Sequence, residues 1–491
     1  MKHLRQRLFN FIETNEALII LLLISVILRL PSLHEPFWYG DEGVYLVLGQ
    51  ALKKGLVWYR DIHDNKPPML YLLAALSGNV MWFRLLTMLA NLVNIAIIWK
   101  LAQRFFTAHH WVILATSLFV LATCLPTLEG NIANAEIFMI LPITAAMLLL
   151  LNAKSLRTYF LSGVLFSLGF LFKVPSAFDF IAAGLWLLFF GGLQLRQKAW
   201  FNKLFWLALG FLLPLAVTFI YYFALGAGRQ YFNAAFLQNI GYLASWRTGT
   251  QTRSGISSQS GLLWRGMILL TVTATTWWLT RKDDASRRLL PLWFAFALFG
   301  ALLSERPYPH YLIQILPPAV ILLPQLLVRQ KKNYLVLLLL LAGLTIGSVL
   351  RYRFYFYPTV KYYQTFIQYI TGQISPAEYR NSFDRRVDRN YQIASYIRLH
   401  SRPDDHIFVW GDEPFIYALS NRLPTGRYTV AYHIIDFNGQ EETMRAIEQA
   451  PPLYIVLETN EKRNFKKLIA FTLANYVPVV QIDDATIFRH L

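Results

Sequence analysis

The run Ala17-Leu18-Ile19-Ile20-Leu21-Leu22-Leu23-Ile24-Ser25-Val26-Ile27-Leu28-Arg29-Leu30 decides the fold class. It follows a basic segment holding Lys2, Arg5 and Arg7, so it reads either as the apolar region of a signal peptide or as a first membrane span. The span is the better reading. The residues after it, Pro31-Ser32-Leu33-His34-Glu35, carry no small-x-small cleavage pattern, and the many apolar runs that follow exclude a soluble secreted product.

The composition agrees. Of 491 residues, 55% are hydrophobic and only 15% charged, which excludes an ordinary soluble multidomain protein. The net charge of +18 would suit a nucleic-acid binder, but the Lys and Arg residues sit mainly in short connections between apolar runs, so no nucleic-acid partner is expected. One cysteine, Cys124, lies inside an apolar run, and an intrachain disulfide framework is therefore excluded.

Working outward from 17–30, runs long enough to cross the hydrocarbon layer fall near 12–30, 80–104, 111–127, 137–153, 158–172, 176–193, 204–225, 262–280, 289–304, 311–328 and 333–350, about eleven in all. Alternate connections carry Lys100/Arg104, Lys154/Arg157, Arg196/Lys198/Lys203, Arg281/Lys282/Arg287/Arg288 and Arg329/Lys331/Lys332. Basic connections mark the cytoplasmic side, which places the N-terminus inside the cytoplasmic membrane and the segments 31–79, 226–261 and everything after Arg351 outside. The expected organisation is a transmembrane catalytic domain over 1–350 and an extracytoplasmic α/β domain over 351–491. Tyr352, Tyr355, Tyr357, Tyr362 and Tyr363 read as an interfacial aromatic belt. Beyond it the pattern predicts a helix over 387–400, strands at 406–410 and 453–457, helices over 440–449 and 461–474, and a hairpin from 476–480 to 486–488.

The chemistry concentrates in the first outer loop. It reads Phe37-Trp38-Tyr39-Gly40-Asp41-Glu42-Gly43-Val44-Tyr45, then Gly55-Leu56-Val57-Trp58-Tyr59-Arg60-Asp61-Ile62-His63-Asp64-Asn65-Lys66-Pro67-Pro68. Five acids crowd into 35–64; a solvated loop would explain charges alone, but not the density of aromatics, glycine and proline. The paired Asp41-Glu42 offers a base, and Lys66, presented on a backbone fixed by Pro67 and Pro68, offers a partner for phosphate.

These motifs resemble the GT-C glycosyltransferases, in particular the bacterial relatives of protein O-mannosyltransferases and of the transferase that adds 4-amino-4-deoxyarabinose to lipid A. The resemblance lies in the order span, Asp41-Glu42, Tyr59-Arg60-Asp61, Lys66-Pro67-Pro68, span. It extends to Asn134-Ala135-Glu136 with Pro142, to Arg306-Pro307-Tyr308-Pro309-His310-Tyr311 with Pro317, and to Val409-Trp410-Gly411 and Pro452-Leu453-Tyr454-Ile455-Val456 in the C-terminal part. It implies a polytopic α-helical membrane protein of GT-C type. The implied reaction transfers one sugar, with inversion, from a polyprenyl-monophosphate carrier to a glycolipid, cell-wall polymer or protein acceptor on the outer face.

Under that resemblance each residue acquires an expected role. Asp41 is the base, its pKa raised by partial desolvation, and Lys66 is the cation that stabilises the leaving phosphate. Arg60, Arg84, Arg306 and His310 are further phosphate or donor ligands, with Arg84 equally readable as an interfacial snorkeller and His310 as a structural hydrogen-bonder. Tyr39 and Glu42 are donor contacts. Glu136 is a site residue orienting acceptor or donor, or simply an acid at a helix start. Asp61 and Asp64 hold Arg60 and Lys66 in position. Lys173 caps a loop or meets the carrier phosphate, with Asp179 its nearest charged neighbour in sequence. Asn65 departs from the lipid A enzyme, which has an acid there, so neither its donor nor its acceptor is carried over.

No histidine, cysteine or carboxylate spacing suggests a metal site. Asp41-Glu42 could bind a divalent cation as in oligosaccharyltransferases, but a monophosphate donor among basic residues points to metal independence and no cofactor. Two rival readings remain. One is a polyprenyl-linked lipid transporter, which needs neither the Asp-Glu loop nor an outer α/β domain. The other is an O-antigen ligase or polymerase working through Arg229, Arg247 and Arg253 in 226–261, a segment whose Gly, Ser and Thr content better suits a lid.

Overall fold

The computed structural model describes residues 2–189, 197–239, 256–328 and 332–491. Every apolar run predicted as a span falls on a helix: Lys2–His34, Val80–Phe105, His109–Cys124, Ala135–Leu151, Leu156–Phe172, Ala177–Phe189, Gln197–Ala224, Ile256–Leu279, Ala285–Ala301, Leu316–Val328 and Lys332–Tyr352. Among the described residues, Asn15–His34, Val80–Phe105, Phe201–Ala224, Pro309–Val328 and Lys332–Tyr352 are long and apolar enough to cross a bilayer, and shorter apolar helices accompany them. The chain is a multi-pass membrane protein. Arg247 and Arg253, on which the ligase-like reading leans, lie outside the described residues.

The chain divides into two compact units. The first comprises Met1–Leu30, Thr87–Thr218 and Asn239–Thr359, and the second Pro31–Leu86, Phe219–Gln238 and Val360–Leu491. In the first, small residues set helix contacts. A Cβ on Gly163 would come within 2.1 Å of the Leu207 carbonyl, and one on Gly210 within 2.0 Å of the Phe160 carbonyl, so helices Leu156–Phe172 and Gln197–Ala224 touch backbone to backbone. Asp179, costly to bury alone, accepts hydrogen bonds from Trp293 Nε1 (2.6 Å) and Gln314 Nε2 (2.7 Å) rather than meeting Lys173.

In the second unit the segment 31–79, expected to be a loop, is mostly helical. Helix Gly40–Lys53 packs on helix Met69–Ser77, and Gly49 permits it: a Cβ there would lie 2.6 Å from the Ala75 amide nitrogen. The C-terminal segment adds a four-stranded sheet in the order β1 (Ile407–Trp410), β2 (Tyr454–Glu458), β4 (Ala485–His490), β3 (Tyr476–Ile482), with β1 and β2 parallel and the rest antiparallel. Helices Arg386–Leu399, Gln440–Gln449 and Lys466–Asn475 fall where periodicity predicted them, whereas Thr359–Ile370, Phe415–Ser420 and Ala431–Asp436 were missed. Arg389, fully buried, anchors the strand ends through Glu458 (3.1 Å) and Asp484.

The loop and the sheet domain are tied within this unit. Gln50 donates to the Ala418 carbonyl (2.9 Å), Lys54 to that of Pro403 (2.8 Å), and the His63 amide to that of Arg427 (2.8 Å). The Phe415 ring sits so close to Gly43 that a Cβ there would meet it at 2.8 Å.

Candidate active site

Asp41 stands in the first turn of helix Gly40–Lys53, where the positive end of the helix dipole favours a carboxylate. Its Oδ2 accepts the Tyr45 hydroxyl (2.8 Å) one turn on and lies 3.4 Å from the Lys66 ammonium. Tyr45 also places its ring 4.9 Å from that ammonium. The pair keeps partial access to solvent, with the Asp41 side chain 31% and Lys66 20% exposed. The form of Asp41 that the ammonium attracts is the carboxylate, which is also the form that accepts a proton.

Two buried tyrosines fix the Lys66 backbone. The Tyr59 hydroxyl donates to its carbonyl (2.8 Å), and the Tyr71 hydroxyl accepts from its amide (2.9 Å) while donating to Asp64 Oδ2 (2.7 Å). Tyr59 adopts φ +71°, a conformation bulky residues avoid, held by its own amide on the Ile62 carbonyl (2.7 Å). Burial pushes both hydroxyls well up, so they remain donors. Asp64, buried, completes the setting with its Oδ2 3.9 Å from the ammonium. Pro67 and Pro68 are therefore only part of what presents the lysine. Tyr71 was missed, although a lone phenol in an apolar helix seven residues after an acid is a usable signal.

Other residues of this unit are differently placed. Arg60 makes a fork on Asp61 (2.7 and 2.9 Å) and donates to the Leu225 carbonyl (2.9 Å); it is exposed, and its hydrogen bonds hold the Asp61 carboxyl below its ordinary range. Tyr39 caps the helix start through its carbonyl, which accepts the Glu42 amide (3.0 Å). Glu42 is fully buried and receives both Nε (2.9 Å) and Nη2 (2.5 Å) of Arg84. That corrects two expectations. Arg84 neither snorkels nor faces a phosphate: it too is fully buried, donating as well to the Ser32 and Glu35 carbonyls and lying 3.6 Å from the Glu35 carboxylate, and Glu42 is committed to it. Arg84→Met would leave two buried carboxylates without their cation. We expect a loss of about 3–5 kcal/mol, read as a fall in thermal midpoint, with Glu42→Gln in the same chain recovering part of it.

In the first unit a second polar cluster forms around the other sequence-singled residues. Glu136 opens helix Ala135–Leu151, is bound by the Lys173 ammonium, and lies 3.9 Å from His310 Nε2. Lys173 rests over the Tyr311 ring (3.7 Å). His310 Nδ1 bonds the buried Glu129, which also accepts the Tyr355 hydroxyl (3.3 Å). Glu129, which the sequence does not single out, sits at φ +55° beside Gly130. Burial first, and then the Glu129 carboxylate, push the Tyr355 and Tyr357 hydroxyls up. Arg306 is half-buried in the connection leading to His310. Among the described residues no cluster of three or more histidine, cysteine or carboxylate groups has the makings of a metal site.

The sequence profile of the dolichyl-phosphate-mannose-protein mannosyltransferase family matches residues 65–222, beginning one residue before Lys66. Among solved structures, ArnT from Cupriavidus metallidurans, crystallised with undecaprenyl phosphate, aligns over 97% of this chain and 98% of its own at 15% identity and a TM-score of 0.58. The archaeal oligosaccharyltransferase AglB from Archaeoglobus fulgidus, in complex with an inhibitory peptide and a dolichol-phosphate, aligns over 92% of this chain and 70% of its own at 13% identity and a TM-score of 0.45. Comparison with curated protein sequences returns no match. Over residues 65–222 the chain is similar to this mannosyltransferase family, and across nearly its whole length it shares the fold of ArnT.

Proposed function

We propose that the protein transfers a single hexosyl or pentosyl unit, with inversion, from a polyprenyl-monophosphate carrier to an acceptor hydroxyl at the outer face of the cytoplasmic membrane. The observation that carries this reading is the Asp41–Lys66 pair, a carboxylate and an ammonium 3.4 Å apart on rigid supports at a partly open surface. The mannosyltransferase profile over 65–222 supports the donor class.

In the proposed step the acceptor oxygen attacks the anomeric carbon as Asp41 takes its proton. The bond from that carbon to the phosphate oxygen breaks, and its electron pair stays on the phosphate. The leaving polyprenyl phosphate gains negative charge as it departs, so the Lys66 ammonium stabilises the transition state more than the ground state. Within the first unit, Arg306, whose guanidinium cannot lose its charge, and His310 are assigned to donor binding, with Glu136 acting in substrate orientation through Lys173. Arg60 and Tyr39 are assigned to the donor. No step calls for a metal, and transfer is expected to survive chelation.

The test is transfer by purified protein from radiolabelled polyprenyl-phosphate monosaccharides, with membrane lipid extract or cell-envelope polymer as acceptor. Label appearing in a new product establishes the reaction and names the sugar. Translocation of the lipid without release of sugar would replace this reading with the transporter.

A further inference from the structure

We infer that His433, in the C-terminal domain, is a positioning residue for Lys66 and acts through Asp64. The inference rests on the proposed phosphate role of Lys66 and extends it to a residue 367 positions away in the chain.

His433 stands in the short helix Ala431–Asp436, whose start is fixed by the Ala431 amide on the Gly411 carbonyl (3.0 Å) and the Tyr432 amide on Asp412 Oδ1 (3.1 Å). Its Nε2 lies 3.6 Å from Asp64 Oδ1. The other carboxylate oxygen, Oδ2, takes the Tyr71 hydroxyl at 2.7 Å and lies 3.9 Å from the Lys66 ammonium. One buried carboxylate thus spans the histidine on one side and the lysine on the other. His63 closes the setting, its ring 5.6 Å from His433, 5.2 Å from Tyr428 and 4.9 Å from Phe437. Burial first, and then His433 and Arg427, push the His63 imidazole well below its ordinary pKa.

The physical reason for a second partner lies in what a phosphate ligand must do. Lys66 is shared between Asp41 and Asp64 at 3.4 and 3.9 Å, and it must turn toward an incoming phosphate. A buried carboxylate deserted by its cation carries a large desolvation cost, which would draw the lysine back. His433 keeps Asp64 partnered from the far side, so the ammonium can leave the carboxylate at lower cost. The C-terminal domain thereby sets how readily the first loop offers its cation.

Three variants in the full-length protein test this: His433→Ala, His433→Gln, whose amide nitrogen offers Asp64 a polar partner, and His433→Ala combined with Lys66→Ala. In transfer from a polyprenyl-phosphate sugar, His433→Ala is expected to lower kcat/KM roughly tenfold. His433→Gln should restore most of it, and the double variant should be no worse than Lys66→Ala alone. A loss that adds fully to that of Lys66→Ala, or wild-type kcat/KM in His433→Ala, overturns the inference. An activity-independent measurement accompanies it: competitive acylation of Lys66 in the folded protein, quantified by mass spectrometry. A changed Lys66 reaction rate in His433→Ala, restored in His433→Gln, supports the inference even if no monophosphate donor is used. An unchanged rate sinks it, while absence of wild-type transfer sinks only the reading on which it rests. If His433→Ala does not fold, the same rate is read in His433→Asn, with the same outcomes.

Discussion

Asp41→Asn is expected to lower kcat of the proposed sugar transfer roughly 100- to 10,000-fold, the range for loss of a positioned general base, while leaving the protein folded in the membrane. The substitution is a narrow one. An asparagine oxygen can still accept the Tyr45 hydroxyl that now lies 2.8 Å from Asp41 Oδ2, so the first turn of helix Gly40–Lys53 keeps its side-chain contact. Basicity and the attraction of Lys66 across 3.4 Å are lost. Because the pair is partly exposed, stability should change little, and the thermal midpoint separates a chemical defect from a structural one. Turnover near that of the wild type, at an unchanged midpoint, would remove Asp41 from the mechanism.

Much of this architecture was legible in the sequence, because the bilayer imposes length and apolarity on every helix that crosses it. The runs at 80–104 and 333–350 match helices Val80–Phe105 and Lys332–Tyr352 to within two residues. The strands of the C-terminal domain were equally legible from short β-branched and aromatic runs between turns. The segment 31–79 was not. Nine residues of helix Gly40–Lys53 are buried, and its apolar positions are set by packing against Met69–Ser77 and the C-terminal domain, contacts whose partners lie far off in sequence. The same limit governs the side chains. Asp61 with Arg60, and Asp64 with Lys66, are neighbours that sequence could pair. The burial of Glu42 on Arg84, the bond from His310 to Glu129, and the approach of His433 to Asp64 join residues 42, 181 and 369 positions apart. Charge alone therefore suggested donor contacts at Glu42 and Arg84, where the folded chain has spent both on each other.

Lys66→Ala is expected to lower kcat/KM for the lipid donor by roughly 100- to 1,000-fold, the usual consequence of removing one group that meets developing negative charge. The leaving group gives the test its edge. Bond breaking delivers charge to the phosphate, so the variant should suffer more in kcat/KM than in the binding of a neutral acceptor, and polyprenyl phosphate should weaken as a product inhibitor. Lys66→Arg separates charge from geometry. It keeps the cation, but a planar fork in place of a compact ammonium must fit between Asp41, Asp64 and the Tyr45 ring, and the tyrosines that clamp the backbone at residue 66 leave the main chain no room to adjust. We expect Arg to recover product inhibition more fully than turnover. Alanine also strips the buried Asp64 of its cation, so midpoints are measured beside the kinetics; Asp64→Asn combined with Lys66→Ala should regain the stability lost without regaining transfer. Undiminished kcat/KM with the lipid donor in Lys66→Ala would take the lysine out of phosphate recognition and return Asp41–Lys66 to the status of a structural ion pair.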